Sequence, residues 1–454
     1  MFNRQDKSMT ERDKDIARVA MELAIKNGCS GSRITMSVNT QSSFSVRNDK
    51  LDRLMQANSS SLYIQLFTDG RYSSFSTNRT EEKELKQFMS KAVDITRLVS
   101  PDKNRLLPKQ EYYFKGEERD LGQYDNSIKS IDPSEKSLIA HKCAAEIFNT
   151  DKRIISVNCE YGDIDEYLYI IDSQGFEGTS KQTNFTLSAE CSVKGSGDSR
   201  PEGWWYESSL FFDKLIKEGV GNRAFKRAAS RLNPKKLRSG LYNMVLENTV
   251  SSRMVAPIIS ALNGAAIQQN NSFLRGKLGE RLFSPYFQLF DTPHLYGANG
   301  SRYFDGEGIA TKPMNIIENG VVKSYYINTY YSGKLDMPVT IEGPSVPSCK
   351  YSESVNTINV SRSLEDILKK CDKGILVTGF NGGNSNSSTG DFSFGVQGFY
   401  FEKGEIIHPI KEMNITGNII TLWNNIIEIG TDPRESSRWL IPTLAFESVN
   451  FSGI

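Results

Sequence analysis

Asp305 and Glu307 stand two residues apart in YFDGEGIAT (residues 303–311), with Gly306 between them and Gly308 after. Two carboxylates on a tight glycine turn admit three chemistries. They could act as a catalytic pair, bind a hard cation such as Mg²⁺ or Ca²⁺, or hold the turn by accepting backbone N–H bonds. The choice depends on whether the chain supplies the other half of a site. His141, His294 and His408 are the only histidines, and no two lie within a hundred residues. HExxH, which sets two imidazoles one helical turn apart for zinc, is therefore absent. There is no GxSxG elbow and no GxxxxGK[ST] phosphate loop.

Two further stretches invite a functional reading. NGGNSNSSTG (residues 381–390) is low in complexity, and Thr389, Gly390 and Asp391 are candidates for a cleft-facing loop. The plainer reading is a long connection between strands. Arg223, Lys226, Arg227, Arg231, Lys235, Lys236 and Arg238 form a basic run. Only Phe225 offers a stacking ring there, and Ala224, Ala228, Ala229 and Leu232 look like a buried stripe. A solvated helix face explains the run better than a nucleic-acid patch.

The elements that must position these residues begin with a chain of 454 residues, long enough for two or three domains. At 38% hydrophobic and 24% charged it has ordinary globular composition. A net charge of +1 gives no general attraction to DNA or anionic lipid. No run of eighteen apolar residues offers a membrane span, and MFNRQDKSMTERDKD lacks the apolar stretch of a secretory signal. Six cysteines are scattered without a CxxC pair, which fits a reducing cytoplasm.

Apolar spacing predicts a helix over residues 10–27, a strand over 32–46, a hairpin over 61–75 turning at Asp69-Gly70, and a helix over 80–99. A polar connection covers 103–130. A helix follows over 133–149, then strands over 154–158, 166–171 and 185–193, then a helix over 208–231. This predicts an α+β region, a layer of helices on a largely antiparallel sheet with a possible internal duplication. Residues 1–235 are assigned to it, and 236–454 to a mainly β C-terminal domain. In the latter, 241–246 reads as a strand and 249–262 as a helix stopped at Asn263-Gly264. Strand-like runs meet at Asn319-Gly320, and 364–370 is the one other helical stretch.

Several C-terminal segments, in order, carry a resemblance. They are NSFLRGKLGERLFSP (271–285), YFDGEGIAT (303–311), IIENGVVKSYYINTYYSGKL (316–335), STGDFSFGVQGFYFEKGEI (388–406) and ITGNIITLWNNIIEIG (415–430), with a Pro-containing ending near Pro442. The set resembles the TldD/PmbA family, long labelled modulators of DNA gyrase and understood as peptidase components. One branch of that family carries HExxxH on the helix after the first C-terminal strand, completed by a late cysteine. The matching stretch here, residues 241–264, holds no histidine, and the last cysteine is Cys371.

The resemblance therefore implies the PmbA (TldE) branch, a non-metal-binding subunit of a heteromeric zinc metallopeptidase acting on unfolded or small peptides. Zinc is expected in the TldD-type partner and no cofactor in this chain. Neither direct nucleic-acid nor membrane contact is expected. Whether the isolated chain pairs with itself stays open. Asp305 and Glu307 then become turn-shaping residues. The competing reading is a non-proteolytic regulator of DNA gyrase or of a toxin–antitoxin component. A self-sufficient hydrolase built on Asp305, Glu307 and a hard cation is the third.

Overall fold

The computed structural model describes residues 9–117, 119–351 and 362–453; the first eight residues of the N-terminal stretch read above lie outside it. Helix α1 (Glu11–Lys26) opens on a capping box between Thr10 and Asp13. Strands β1 (Gly31–Arg47), β2 (Lys50–Thr68) and β3 (Arg71–Thr77) follow, and then α2 (Glu82–Leu98). Asp69 and Gly70 both take positive φ, the conformation a tight hairpin demands. After the long connection come α3 (Pro133–Ala145), β4 (Ile154–Asp172), β5 (Glu177–Val193), β6 (Glu202–Ser209) and α4 (Val220–Ser230).

The six strands form one antiparallel sheet in the order β3-β2-β1-β4-β5-β6. Helix, three strands and helix thus occur twice, mirrored about the β1–β4 pair, which is the duplicated layout expected from the sequence. The helices cover one face of this α+β layer. Ile34, Met36, Val38 and Leu62 pack against α1 and α2, while Val157, Tyr161, Phe185 and Leu187 pack against α3 and α4.

The sheet corrects three expectations. The first strand of the hairpin that turns at Asp69-Gly70 begins at Lys50 and not at 61, because the polar stretch 50–60 pairs with β1 along its whole length. The two strands expected at 154–158 and 166–171 are the ends of one strand, β4. Its polar middle is held between β1 and β5, so pairing on both sides carries what apolar alternation did not signal. The helix expected from 208 starts only at Val220; β6 ends at Ser209, and turns fill residues 210–219.

The C-terminal region contains β7 (Gly240–Leu246), α5 (Ala256–Ala261), α6 (Gly264–Gln268), β8 (Phe287–Asp291), β9 (Met314–Glu318), β10 (Val321–Val322) and α7 (Thr329–Leu335). It continues through β11 (Pro347–Tyr351), α8 (Leu364–Cys371), β12 (Lys373–Ser385), β13 (Asp391–Glu402), β14 (Glu405–Pro409) and β15 (Met413–Asn418). It ends with α9 (Ile419–Asn424), β16 (Ile426–Ile429) and β17 (Leu444–Ser452). Pairing runs β12-β7-β17-β15-β13 and returns to β12, so these strands close a ring; only β12 and β7 are parallel. A second sheet has the order β10-β9-β8-β11. Between the two sits a core that includes Met254, Ile258, Phe283, Phe287, Trp423 and Phe446.

Two expectations here also change. The helix read over 249–262 is a short 3-10 turn followed by α5, broken where Pro257 can donate no backbone bond. The expected stop at Asn263 holds, since α5 ends at Ala261, and Asn263 also caps α6 through its side chain. Helices α7 and α9 appear in a stretch read as strands and turns.

Candidate functional site

The FDGEG segment is a closed turn. Gly308 N–H donates to Asp305 O, and Asp305 N–H donates to Ile309 O, both at 3.0 Å. Asp305 Oδ1 accepts from the amides of Glu307 (2.9 Å) and Ile309 (3.0 Å), and Oδ2 accepts from Glu342 N–H (3.1 Å). The Glu342 carboxylate answers by accepting from Gly306 N–H at 2.9 Å. Asp305 is 1% exposed. Burial, with Glu342 and Glu307 nearby, raises its pKa to about 7, while the Glu342 and Glu307 amides pull the other way.

Glu307 points elsewhere. Its Oε2 accepts from both the N–H and the hydroxyl of Thr329 at the start of α7, each at 2.8 Å. Its Oε1 lies 3.9 Å from Arg33 of β1. Arg33 is 2% exposed and also faces Asp172 at 3.6 Å. Arg33 Nε and Nη2 donate no hydrogen bond within the described chain, so charge attraction is what these contacts offer it. Tyr113 from the long connection donates to Asp172 at 2.5 Å, and burial and that carboxylate raise the phenol's pKa.

Aromatic packing completes the seam. Phe304 meets Phe176 edge-on at 5.1 Å, and Tyr113 and Phe114 pack beside them. Two glycines allow this approach. A Cβ at Gly308, which has φ +80°, would sit 2.7 Å from the Phe176 ring, and one at Gly178 would sit 2.7 Å from Phe304. The connection also pairs its backbone with FDGEG, through Phe114 N–H to Gly308 O and Ala310 N–H to Tyr112 O. FDGEG therefore joins the C-terminal region to the β4–β5 hairpin, the β1 strand and the connection. Both Asp305 oxygens serve backbone amides, an arrangement suited to holding a turn and poorly suited to the cation site considered from sequence.

Thr389, Gly390 and Asp391 form a separate, exposed corner. Thr389 donates to Asp391 at 2.7 Å, and the Asn418 amide donates to both Asp391 (2.9 Å) and Thr389 O (2.8 Å). These bonds, Asn418 foremost, lower the Asp391 pKa. None of the corner's hydrogen bonds among the described residues reaches Asp305 or Glu307. It pins the β12–β13 connection to the start of α9.

The stretch after β7 carries a second joint that the sequence did not reveal. Glu247 receives a two-pronged pair from Arg227 of α4, each N–H···O at 2.9 Å, and the Thr249 hydroxyl also donates to it. Arg227 further bonds Thr378 O at 3.3 Å. Arg434 reaches back to Tyr206 O at 2.7 Å and lies over the Trp205 and Tyr206 rings. Much of the basic run is thus paired: Arg223 with Glu207, Arg227 with Glu247, and Lys236 with Glu412.

The histidines stay apart. His141 contacts Ser137 O, His294 contacts Thr311, and His408 stacks on Tyr400. Cys371 lies in the pocket of apolar residues under α8. The donors present do not fit zinc: residues 241–264 hold no histidine, and their one carboxylate, Glu247, is occupied by a guanidinium. Among the described residues no three His, Cys, Asp or Glu side chains converge as a metal cluster, and no helix is long and apolar enough to cross a membrane.

Three family profiles match in sequence order. PmbA/TldA metallopeptidase domain 1 covers residues 34–96, the central domain 126–232 and the C-terminal domain 239–453. The chain belongs to the PmbA/TldD metallopeptidase family. It is 27% identical to a metalloprotease PmbA homologue of Haemophilus influenzae, over 98% of this chain and 97% of that one. Against metalloprotease PmbA of Escherichia coli O157:H7 the identity is 25%, over 92% and 91%. A solved Bacteroides thetaiotaomicron protein, named a modulator of DNA gyrase, shares 44% identity and superposes with a TM-score of 0.94 over 98% of this chain and all of that one. TldE from Thermococcus kodakarensis, 20% identical, shares the fold with a TM-score of 0.83 over 96% of this chain and all of that one.

Proposed function

We propose that this chain is the non-metal-binding subunit of a TldD/TldE-type heteromeric zinc metallopeptidase that acts on unfolded or small peptides. The observation that carries the reading is the corner after β7. There the only carboxylate, Glu247, is held by Arg227 and Thr249, and no imidazole is present to share a metal. The chain's own residues would fix the shape of the assembly. Arg227–Glu247 and the FDGEG seam hold the C-terminal region against the sheet, which gives a TldD-type partner a firm wall to close upon. Hydrolysis belongs to the partner's zinc.

Metal analysis of the purified chain, paired with a casein assay, tests this. The expected result is sub-stoichiometric zinc and no hydrolysis alone, with hydrolysis on adding a TldD-type chain. Stoichiometric zinc, or hydrolysis by this chain alone that disappears in Glu247→Gln, overturns it. Gyrase binding without any effect on a TldD-type peptidase would favour the regulatory alternative, which the modulator name of the Bacteroides relative keeps in view.

A further inference from the structure

Helices α3 and α4 touch where a Cβ on Gly221 would stand 2.5 Å from Cys143 O. Glu146, at the end of α3, accepts from the Gly219 and Asn222 amides at 2.7 and 3.0 Å and so caps α4. Beside this contact lies a cavity of about 550 Å³, a size common among small-ligand sites. Its chemistry comes from side chains, since Glu146 already sits at the start of α4.

One wall of the cavity is a single stripe of α3. Glu135, Leu138, Ile139 and Lys142 recur at helical spacing, so an acid, two apolar side chains and a base follow one another along it. Ile139 is 7% exposed and belongs to the core beneath, whereas Leu138 is 51% exposed at the rim. An exposed leucine beside a cavity leaves apolar surface for a ligand to cover. The facing wall repeats both signs with Lys217 and Glu218. Lys217 Nζ lies 3.6 Å from the centre of the Phe212 ring. Among the described residues, Glu135, Lys142 and Glu218 make no ion pair.

We propose that this cavity binds a short peptide with free termini and an aliphatic side chain. Glu135 and Lys142 stand two turns apart, about 10 Å along the helix axis. An extended tripeptide spans about the same length. Its ammonium would meet Glu135, its carboxylate Lys142, and its middle side chain Leu138 and Ile139. Charges of both signs select such a zwitterion. The glutamates oppose a phosphate or a fatty acid, and the lysines oppose a polycation. Short peptides are what a peptidase releases, so the inference rests on the peptidase reading for the origin of its ligand.

Calorimetric titration of the full chain, without any partner, provides the test. The probes are Ala-Leu-Ala, the same tripeptide blocked at both ends, and Ala-Glu-Ala. We expect one saturable site for Ala-Leu-Ala and much weaker binding of the other two. Glu135→Gln and Lys142→Gln, both at exposed positions, should each weaken Ala-Leu-Ala about tenfold, the scale of one lost charge-assisted contact. No saturable binding at millimolar peptide overturns the proposal. Equal affinity for the blocked peptide or for Ala-Glu-Ala also overturns it, as does unchanged affinity in both variants once circular dichroism shows them folded. Because no TldD-type chain is present, a failure here leaves the zinc and casein results to stand by themselves, and hydrolysis restored by that partner would still uphold the subunit reading.

Discussion

Asp305 accepts three backbone amides while almost wholly buried, so its side chain is a structural acceptor whose removal leaves donors orphaned. Asp305→Ala should cost about 2–4 kcal/mol, a range set by leaving three amide donors without their buried acceptor. Urea unfolding monitored by circular dichroism measures it. The same residue predicts a pH dependence. Between 3.8 and about 7 the folded chain keeps a proton that the unfolded chain has lost. Its contribution is therefore fully present below 3.8 and is lost as pH rises through 7. Asp305→Asn, which cannot ionise, should flatten the change in stability between pH 5 and pH 8; an unchanged slope would rule this assignment out.

At the scale of elements, periodicity made visible what apolar faces create. Helices α1 and α2, the Asp69-Gly70 turn and β7 were legible because burial on one side writes itself into the spacing of Ile, Leu, Val and Ala. The polar arm at 50–60 and the middle of β4 were not, since their order comes from partners far along the chain. The site divides the same way. FDGEG announced a turn through its glycines, but its contacts with Arg33 and Phe176 join segments more than a hundred residues apart. Glu247 was visible as an acid without a motif, while its partner Arg227 was hidden in a basic run. That pair predicts coupling. Arg227 and Glu247 side chains are 18% and 16% exposed, so the pair is only partly screened. Arg227→Ala and Glu247→Ala should each destabilise, and a double-mutant cycle should show a coupling of roughly 0.5–3 kcal/mol. Strict additivity would mean that the joint contributes nothing.

Across the whole molecule, two of the joints between the C-terminal region and the N-terminal sheet combine buried rings with paired charges. One is the aromatic and charged seam around FDGEG; the other is the Arg227–Glu247 and Arg434 brace. Both fall on the second half of the duplicated sheet, apart from Arg33, which lies on β1 at the midline. With rings interlocked and a guanidinium shared across the join, neither side can open without exposing buried groups on the other. Calorimetry should therefore record one cooperative unfolding transition for the full chain. Phe304 is the side chain most exposed to test, because it fills the seam from the C-terminal side and touches Phe176, Phe114 and the Gly178 backbone. Phe304→Ala should cost about 3–5 kcal/mol, the usual range for emptying a buried aromatic site. If the seam couples the two regions, that substitution should also split the transition in two, with the sheet and the C-terminal region melting separately. Phe304→Leu, which keeps most of the volume, should lower the melting temperature less and retain a single transition. A single sharp transition in Phe304→Ala, shifted but undivided, would place the coupling in the Arg227 brace.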